Sequence, residues 1–274
     1  MKVKDFQGNY YLYVLCLLIL AKILVVGGRS KDKENRPLEI IDLINTKSKP
    51  FIVVEKNSRR RDRAIGGILQ NQPVICGGGF YSPNYSDNKI SVIGMPNQHC
   101  FEMMIPSRED MSGVVLNETK IWITGGGCYN ALSIRSTEIV SLDQPPIAGP
   151  DLPFTVKGHS MVRVDPTMIY LIGGVQNAKV SKKTWIIDPT NDFQIKVGPS
   201  MNMGRYWHSC SKMKINGKIY LVVAGHGSPN HSGFIRYAPN NASDSVELLD
   251  TTCPEQGWKM GMCNNIVCQN YSYK

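Results

Sequence analysis

An all-β chain assembled from five repeated four-stranded units is what this sequence predicts, and three observations carry the prediction. Five short apolar runs end in a glycine pair or near-pair: Ile23 to Gly28, Pro73 to Gly79, Ile121 to Gly127, Ile169 to Gly174 and Ile219 to Gly227. Counted from Gly27, Gly77, Gly125, Gly173 and Ala224, the steps are 50, 48, 48 and 51 residues. Most of these runs also lie between two further apolar stretches, the earlier one joined to the run by a short polar turn. A fixed period of this length marks a stacked or radial array, in which each unit buries its apolar faces against its neighbours.

The first strands are read at Ala64 to Leu69, Ser112 to Leu116, His159 to Val164 and His208 to Met213. Turns at Gln70 to Gln72, Asn117 to Lys120, Asp165 to Thr167 and Lys214 to Lys218 lead back into the glycine runs, so each pair reads as a β-hairpin. Third strands are expected at Leu38 to Leu43, Thr137 to Leu142, Lys183 to Asp188 and Val246 to Asp250, with Ile90 to Ile93 as a weaker copy. A fourth segment ends near Phe193 in one unit and Trp258 in another. Four strands of about five residues, with their turns, fill about 45 to 50 residues. Glycine is expected at 27, 28, 77, 78, 125, 126, 173, 174 and 225 because a side chain there would strike the neighbouring unit and because the turn needs positive φ: Gly27, Gly28, Gly77, Gly78, Gly125, Gly126, Gly173, Gly174 and Gly225 are the structural residues of the repeat.

These residues resemble kelch repeats: Gly-Gly after an apolar strand, Thr-Glu or Leu-Glu opening the third strand, an arginine before the first strand (Arg63, Arg108, Arg205) and a tryptophan closing a unit (Trp258). The likeness covers roughly residues 23 to 262. It is poorest in the second unit, whose third strand lacks the glutamate, and the third unit lacks the closing tryptophan. Gly149 to Pro153 and Arg205 to Cys210 look more like secreted invertebrate kelch proteins than cytosolic kelch adaptors. The resemblance implies a kelch-type β-propeller spanning residues 22–262, with five recognisable blades or a shortened six-bladed ring. Residues 263–274 are then a tail or a ring-closing strand.

The chain has 274 residues and 42% hydrophobic content, within the globular range. Its formal charge of +9 raises anionic partners, and the densest basic run is Arg59 to Arg63. No aromatic residue interleaves those arginines, which removes the stacking platform that single-stranded nucleic acid requires, so nucleic acid is not expected as a partner. A charge run in a loop between units reads first as a solvated face.

At the amino terminus, Tyr10 to Leu20 is an apolar run behind Lys2 and Lys4 and followed by Ala21. That pattern reads as a secretory signal peptide over residues 1–21, and Lys22 stops the run short of a membrane span. The competing reading makes Tyr10 to Leu17 the innermost strand of the first unit, which places the protein in the cytoplasm. Five glycosylation sequons agree with secretion: Asn84, Asn117, Asn230, Asn241 and Asn270, of which Asn117 falls in a hairpin turn. Eight cysteines are present, and losing Cys16 with a leader leaves seven, an odd number. Cys253, Cys263 and Cys268 lie close enough in sequence for a bridge among them, while Cys76, Cys128 and Cys210 read as core residues.

No nucleophile elbow, phosphate loop or paired-histidine zinc motif is present. Glu39, Glu138 and Glu247 recur at one repeat position, which suits architecture better than acid–base chemistry. Tyr206, His208 and Cys210 cluster, with His159 at the repeat position of His208, and this set is the basis of an alternative in which the chain is a metal-dependent oxidase or lyase. The leading expectation is a non-catalytic module, without cofactor or metal, that binds a protein or glycan ligand through its inter-strand loops outside the cell. The loops that vary most follow the glycine pairs: 29–37, 80–89, 129–136, 175–182 and 228–244.

Overall fold

A computed structural model of the chain describes the strands at 15–19, 22–26, 38–42, 48–51 and 89–92, together with 64–78, 99–103, 108–127, 133–177, 179–225, 227–228 and 245–262. All of the regular structure among these residues is β, apart from one 3-10 turn at Pro254–Gln256. Five four-stranded antiparallel sheets follow one another along the chain, each with its strands hydrogen-bonded in sequence order. The first sheet comprises Leu15–Ile19, Lys22–Val26, Leu38–Asp42 and Ser48–Phe51, and the second Ile65–Leu69, Gln72–Cys76, Lys89–Val92 and His99–Glu102. The third comprises Ser112–Asn117, Lys120–Thr124, Thr137–Val140 and Ile147–Gly149. Ser160–Asp165, Met168–Ile172, Thr184–Asp188 and Gln194–Val197 form the fourth, and Ser209–Ile215, Lys218–Ala224, Ser245–Asp250 and Lys259–Met262 the fifth.

The registers make the repeat explicit. Ser112 pairs with Thr124, Ser160 with Ile172 and Ser209 with Ala224, so the residue before each glycine always faces the start of its sheet's first strand. Counting back from these pairs superposes the approaches to the first strands. Ile65 pairs with Cys76 in the same way in the second sheet. Arg63, which the sequence places before the first strand of this sheet, lies outside the described residues.

Leu15–Ile19 pairs along its length with Lys22–Val26. In the full chain this segment is therefore built as the first strand of the first sheet. A leader cut after residue 21 would remove it. The fourth strands also differ from expectation. They begin just after Phe193 and Trp258 instead of ending at them. The two aromatics precede their strands and tuck inward: Phe193 lies 4.6 Å from the ring of Trp122, and Trp258 Nε1 donates to the Pro199 carbonyl at 2.9 Å.

Packing follows from the period-2 alternation of strands. One face of the second sheet (Leu69, Val74, Cys76) meets Ile121, Ile123 and Val140 of the third. The opposite face of the third (Val114, Trp122) meets Met161, Ile169, Leu171 and Ile187 of the fourth. Val162, Val164, Tyr170 and Ile172 on the far face of the fourth then meet Leu221, Val223 and Leu249 of the fifth. First strands lie beside first strands throughout, from Leu15–Ile19 to Ser209–Ile215.

Side chains on the first strands add bonds that span one repeat. Ser160 Oγ donates to the His208 carbonyl at 2.7 Å. Lys212 Nζ donates to the Val164 carbonyl at 3.2 Å, and Arg163, at the position of Lys212, reaches back in the same way to Val115 at 3.3 Å and to Leu116. The far face of the fifth sheet is different. Its residues Ser211 and Met213 occupy the positions of buried Val162 and Val164 but are exposed.

Candidate functional site

The strand ends that carry the glycine pairs form a rim, and the rim is built by backbone. Gly78 N–H donates to the Arg108 carbonyl at 3.3 Å, Gly126 N–H to Val156 at 2.8 Å and Gly174 N–H to Arg205 at 2.7 Å. In each case a sheet's second glycine binds the residue four positions ahead of the next sheet's first strand. Both residues of each pair have positive φ, as at Gly125 (56°) and Gly126 (96°). A Cβ on Gly126 would fall 2.7 Å from the Glu109 carbonyl oxygen, and one on Gly174 would fall 2.8 Å from that of Lys157. The glycines thus answer both a conformational and a steric demand. Gly225, in the fifth sheet, has positive φ but no such crowding: an added Cβ would meet nothing nearer than 3.6 Å, in His208 of its own sheet. Gly27 and Gly28 lie outside the described residues.

A second backbone chain runs beside the first. Gly158 N–H donates to the Asp110 carbonyl and Trp207 N–H to the Gly158 carbonyl, each at 2.7 Å. These three residues share one repeat position and one left-handed conformation, with φ of 54°, 61° and 52°. Asp110 and Trp207 adopt it without being glycine, at a cost of about 1–3 kcal/mol each. The loops after the glycine pairs join this layer. Val175–Gln176 pairs with both Val156–Lys157 and Lys179–Val180, and Gly227–Ser228 pairs with Gly204–Arg205. What the sequence presents as a variable loop at 175–182 is thus mostly held. Val175 and Gln176 are buried, and the tip residues Asn177 and Lys179 are exposed. Loops 29–37 and 80–88, the first half of 129–136, and 229–244 lie outside the described residues.

Among the described residues, two buried ion pairs sit beneath the rim. Arg205 Nε meets Glu247 Oε1 at 2.9 Å, and Arg108 Nη2 meets Glu138 Oε1 at 3.2 Å, all four side chains being at most 1% exposed. Arg205 also donates to the Gly225 carbonyl at 2.6 Å and to Ser245 Oγ at 2.7 Å. Glu247 Oε2 accepts from the Asn202 backbone and side-chain amides at 2.6 and 2.9 Å. Each arginine therefore ties the approach to the first strand to the third strand of the same sheet. The recurrence of Glu138 and Glu247 in sequence has this as its physical cause. At the equivalent positions the fourth sheet has Val156 and Trp185, and the Trp185 ring stacks on Phe154 at 4.6 Å.

The histidines and their neighbours also have structural places. His159 and His208 share a repeat position with Met111, and each of the three lies over the first glycine of the preceding sheet: Met111 on Gly77, His159 on Gly125, His208 on Gly173. His159 Nε2 is 2.8 Å from Thr124 Oγ1. Burial, reinforced by the charges of His208 and Arg108, lowers its pKa to about 3, so the ring is neutral. Tyr206 is buried with its ring 4.8 Å from that of Trp207. Cys210 packs against the core between the fourth and fifth sheets, and burial pushes its thiol up to about 12. Among the described residues, no group of three or more His, Cys, Asp or Glu side chains is placed to hold a metal ion. Among the described residues, Cys210 and Cys253 are free thiols. Of the sequons, Asn117 is described and exposed, whereas Asn84, Asn230, Asn241 and Asn270 lie outside the described residues. Among the described residues no helix is long and apolar enough to cross a membrane.

Comparison with known proteins adds a fold. No protein-family model and no curated protein matches the chain. Among solved structures, one titled "Structure of YjhT" is similar with a TM-score of 0.68 at 12% sequence identity, over 92% of this chain and 83% of that one. At that identity the likeness is one of fold.

Proposed function

We propose that the chain is a kelch-type β-propeller that serves as an extracellular interaction module, binding a protein or glycan ligand at the rim. Five sheets joined first strand to first strand, the repeated glycine pairs and the repeated Arg–Glu pairs all support the propeller reading. The exposed far face of the fifth sheet favours a shortened ring over a closed five-bladed one. One observation carries the functional reading. The segments after the glycine pairs are stapled into a second layer at the rim, and this layer holds exposed tips such as Asn177 and Lys179 in fixed positions. Variable side chains on a rigid frame are the usual substrate of recognition. The buried ionisable residues, by contrast, are engaged in holding the frame.

The test uses the full chain secreted from animal cells, with its culture medium as the source of protein ligands and an array of purified glycans beside it. A reproducible ligand is expected. It should be lost in Lys179→Glu, which reverses the charge of an exposed tip residue, with the thermal midpoint unchanged. Failure to retain any ligand on either arm would sink the reading. Sequencing the mature amino terminus tests the compartment separately, since a start at Lys22 means a cleaved leader and a three-stranded first sheet.

A further inference from the structure

We propose that Asn117 is an N-glycosylation acceptor whose glycan leaves the third sheet at its turn end, opposite the rim. The proposal rests on the extracellular reading above and adds a site of modification to it. Asn117 ends the first strand of the third sheet, where it pairs with Lys120 across the hairpin turn, and it is exposed. Its side-chain Oδ1 accepts the Thr119 backbone N–H and the Thr119 hydroxyl, both at 3.0 Å.

The same turn is built three more times with aspartate. Asp165 Oδ1 accepts from the Thr167 N–H and hydroxyl at 2.8 and 2.9 Å, Asp188 from Thr190 at 2.9 and 2.7 Å, and Asp250 from Thr252 at 2.9 and 2.6 Å. Asp165 stands at the repeat position of Asn117, five residues past Ser160 as Asn117 is past Ser112. The turn therefore needs an acceptor oxygen and a threonine two residues on, and a carboxylate meets that need at least as well as an amide. Of these four turns only the one at 117 carries an amide nitrogen, and the turn does not engage it. Asn117-Glu118-Thr119 is also the acceptor sequence, with no proline at its centre.

In the modification, Asn117 Nδ2 forms a bond to the anomeric carbon of a sugar carried on a lipid diphosphate. The sugar–phosphate C–O bond breaks, the lipid diphosphate leaves with its electron pair, and the amide proton passes to a base of the transferase. Strand Ser112–Asn117 runs from the rim, where Ser112 pairs with Thr124 beside Gly125, to the turn. Its length separates the two ends by about 17 Å at roughly 3.3 Å per residue. The glycan therefore leaves the rim open to ligand.

The experiment translates the full chain in the presence of animal-cell microsomes, once with its own amino terminus and once behind a heterologous secretory leader. Protease-protected product is then deglycosylated with an amidase and peptide-mapped for the Asn-to-Asp conversion. Conversion at Asn117 is expected, retained in Thr119→Ser and lost in Thr119→Ala. Asn117→Asp should lose the glycan and still unfold like the parent, because Asp165 already builds the same turn. Protected chain with Asn117 unmodified, or a glycan mapping only to Asn84, Asn230, Asn241 or Asn270, would overturn the proposal. If only the leader-fused chain is protected and modified, the acceptor stands and the extracellular reading falls.

Discussion

The third and fifth sheets seat a buried arginine–glutamate pair at the place where the fourth seats valine and stacked tryptophan, yet all three receive the preceding or following unit in the same way. Gly126 N–H finds the carbonyl of Val156 and Gly174 N–H finds that of Arg205, at 2.8 and 2.7 Å. The repeat thus specifies a backbone path and leaves its filling open to two chemistries. A buried ion pair gains little over a well-packed apolar pair, since desolvation offsets the attraction, but losing one partner strands the other charge. Glutamates that recur in a sequence without a substrate in view are for this reason better assigned to the frame than to catalysis.

The largest effect is expected from stranding a charge. Arg205→Ala leaves Glu247 buried without its cation and should cost about 3–5 kcal/mol in urea unfolding, whereas Val156→Ala at the same position of the fourth sheet should cost about 1–3 kcal/mol. Equal losses would break the distinction between the two fillings. Next come the glycines that both kinds of sheet share. Gly126→Ala and Gly174→Ala force a positive φ and a backbone clash, and each should lose more than about 1 kcal/mol. The two losses should be similar, because the acceptor is a backbone carbonyl in both cases. A much smaller loss at Gly126, which faces the apolar unit, would mean that the side chains matter more than the path.

Acid sharpens the comparison further. His159 stays neutral in the folded chain down to about pH 3, while in the unfolded chain an ordinary histidine takes up its proton near pH 6.5. Its contribution is therefore fully present above about pH 6.5 and is lost as pH falls toward 3, with a slope approaching about 1.4 kcal/mol per pH unit. His159→Met, which copies Met111 at the same repeat position, should flatten that part of the stability–pH curve. An unchanged slope would show that other groups carry the acid sensitivity. The smallest effect belongs to the exposed staple: Lys212→Ala removes one bond to the Val164 carbonyl and should cost about 0.5–1.5 kcal/mol.

The period and the glycine positions were legible in sequence because steric exclusion and positive φ leave few residues to choose from. The hairpin turns were legible for a similar reason, as an Asx oxygen and a following threonine are local. What was not legible depends on partners a repeat away. Val156 and Trp185 hide the equivalence of the fourth sheet because they share no chemistry with Arg205 and Glu247. Arg163 and Lys212 look like solvated strand cations, and only the fold brings their charged ends to the preceding sheet's carbonyls. The second layer at the rim looks like loop in sequence because strands of two residues, such as Val175–Gln176, carry no periodic pattern. In the set Tyr206, His208 and Cys210, nearness in sequence leaves a shared metal site and separate structural roles both open. The alternating structure gives each a separate packing role.

The most direct test of this account is a double-mutant cycle on Arg205→Met and Glu247→Leu, followed by equilibrium unfolding in urea. If the pair is frame, each single change loses about 3–5 kcal/mol and the double change recovers most of that, ending within about 2 kcal/mol of the parent. A double variant as damaged as the two single losses added together would contradict it, and would return the buried charges to the list of residues kept for chemistry.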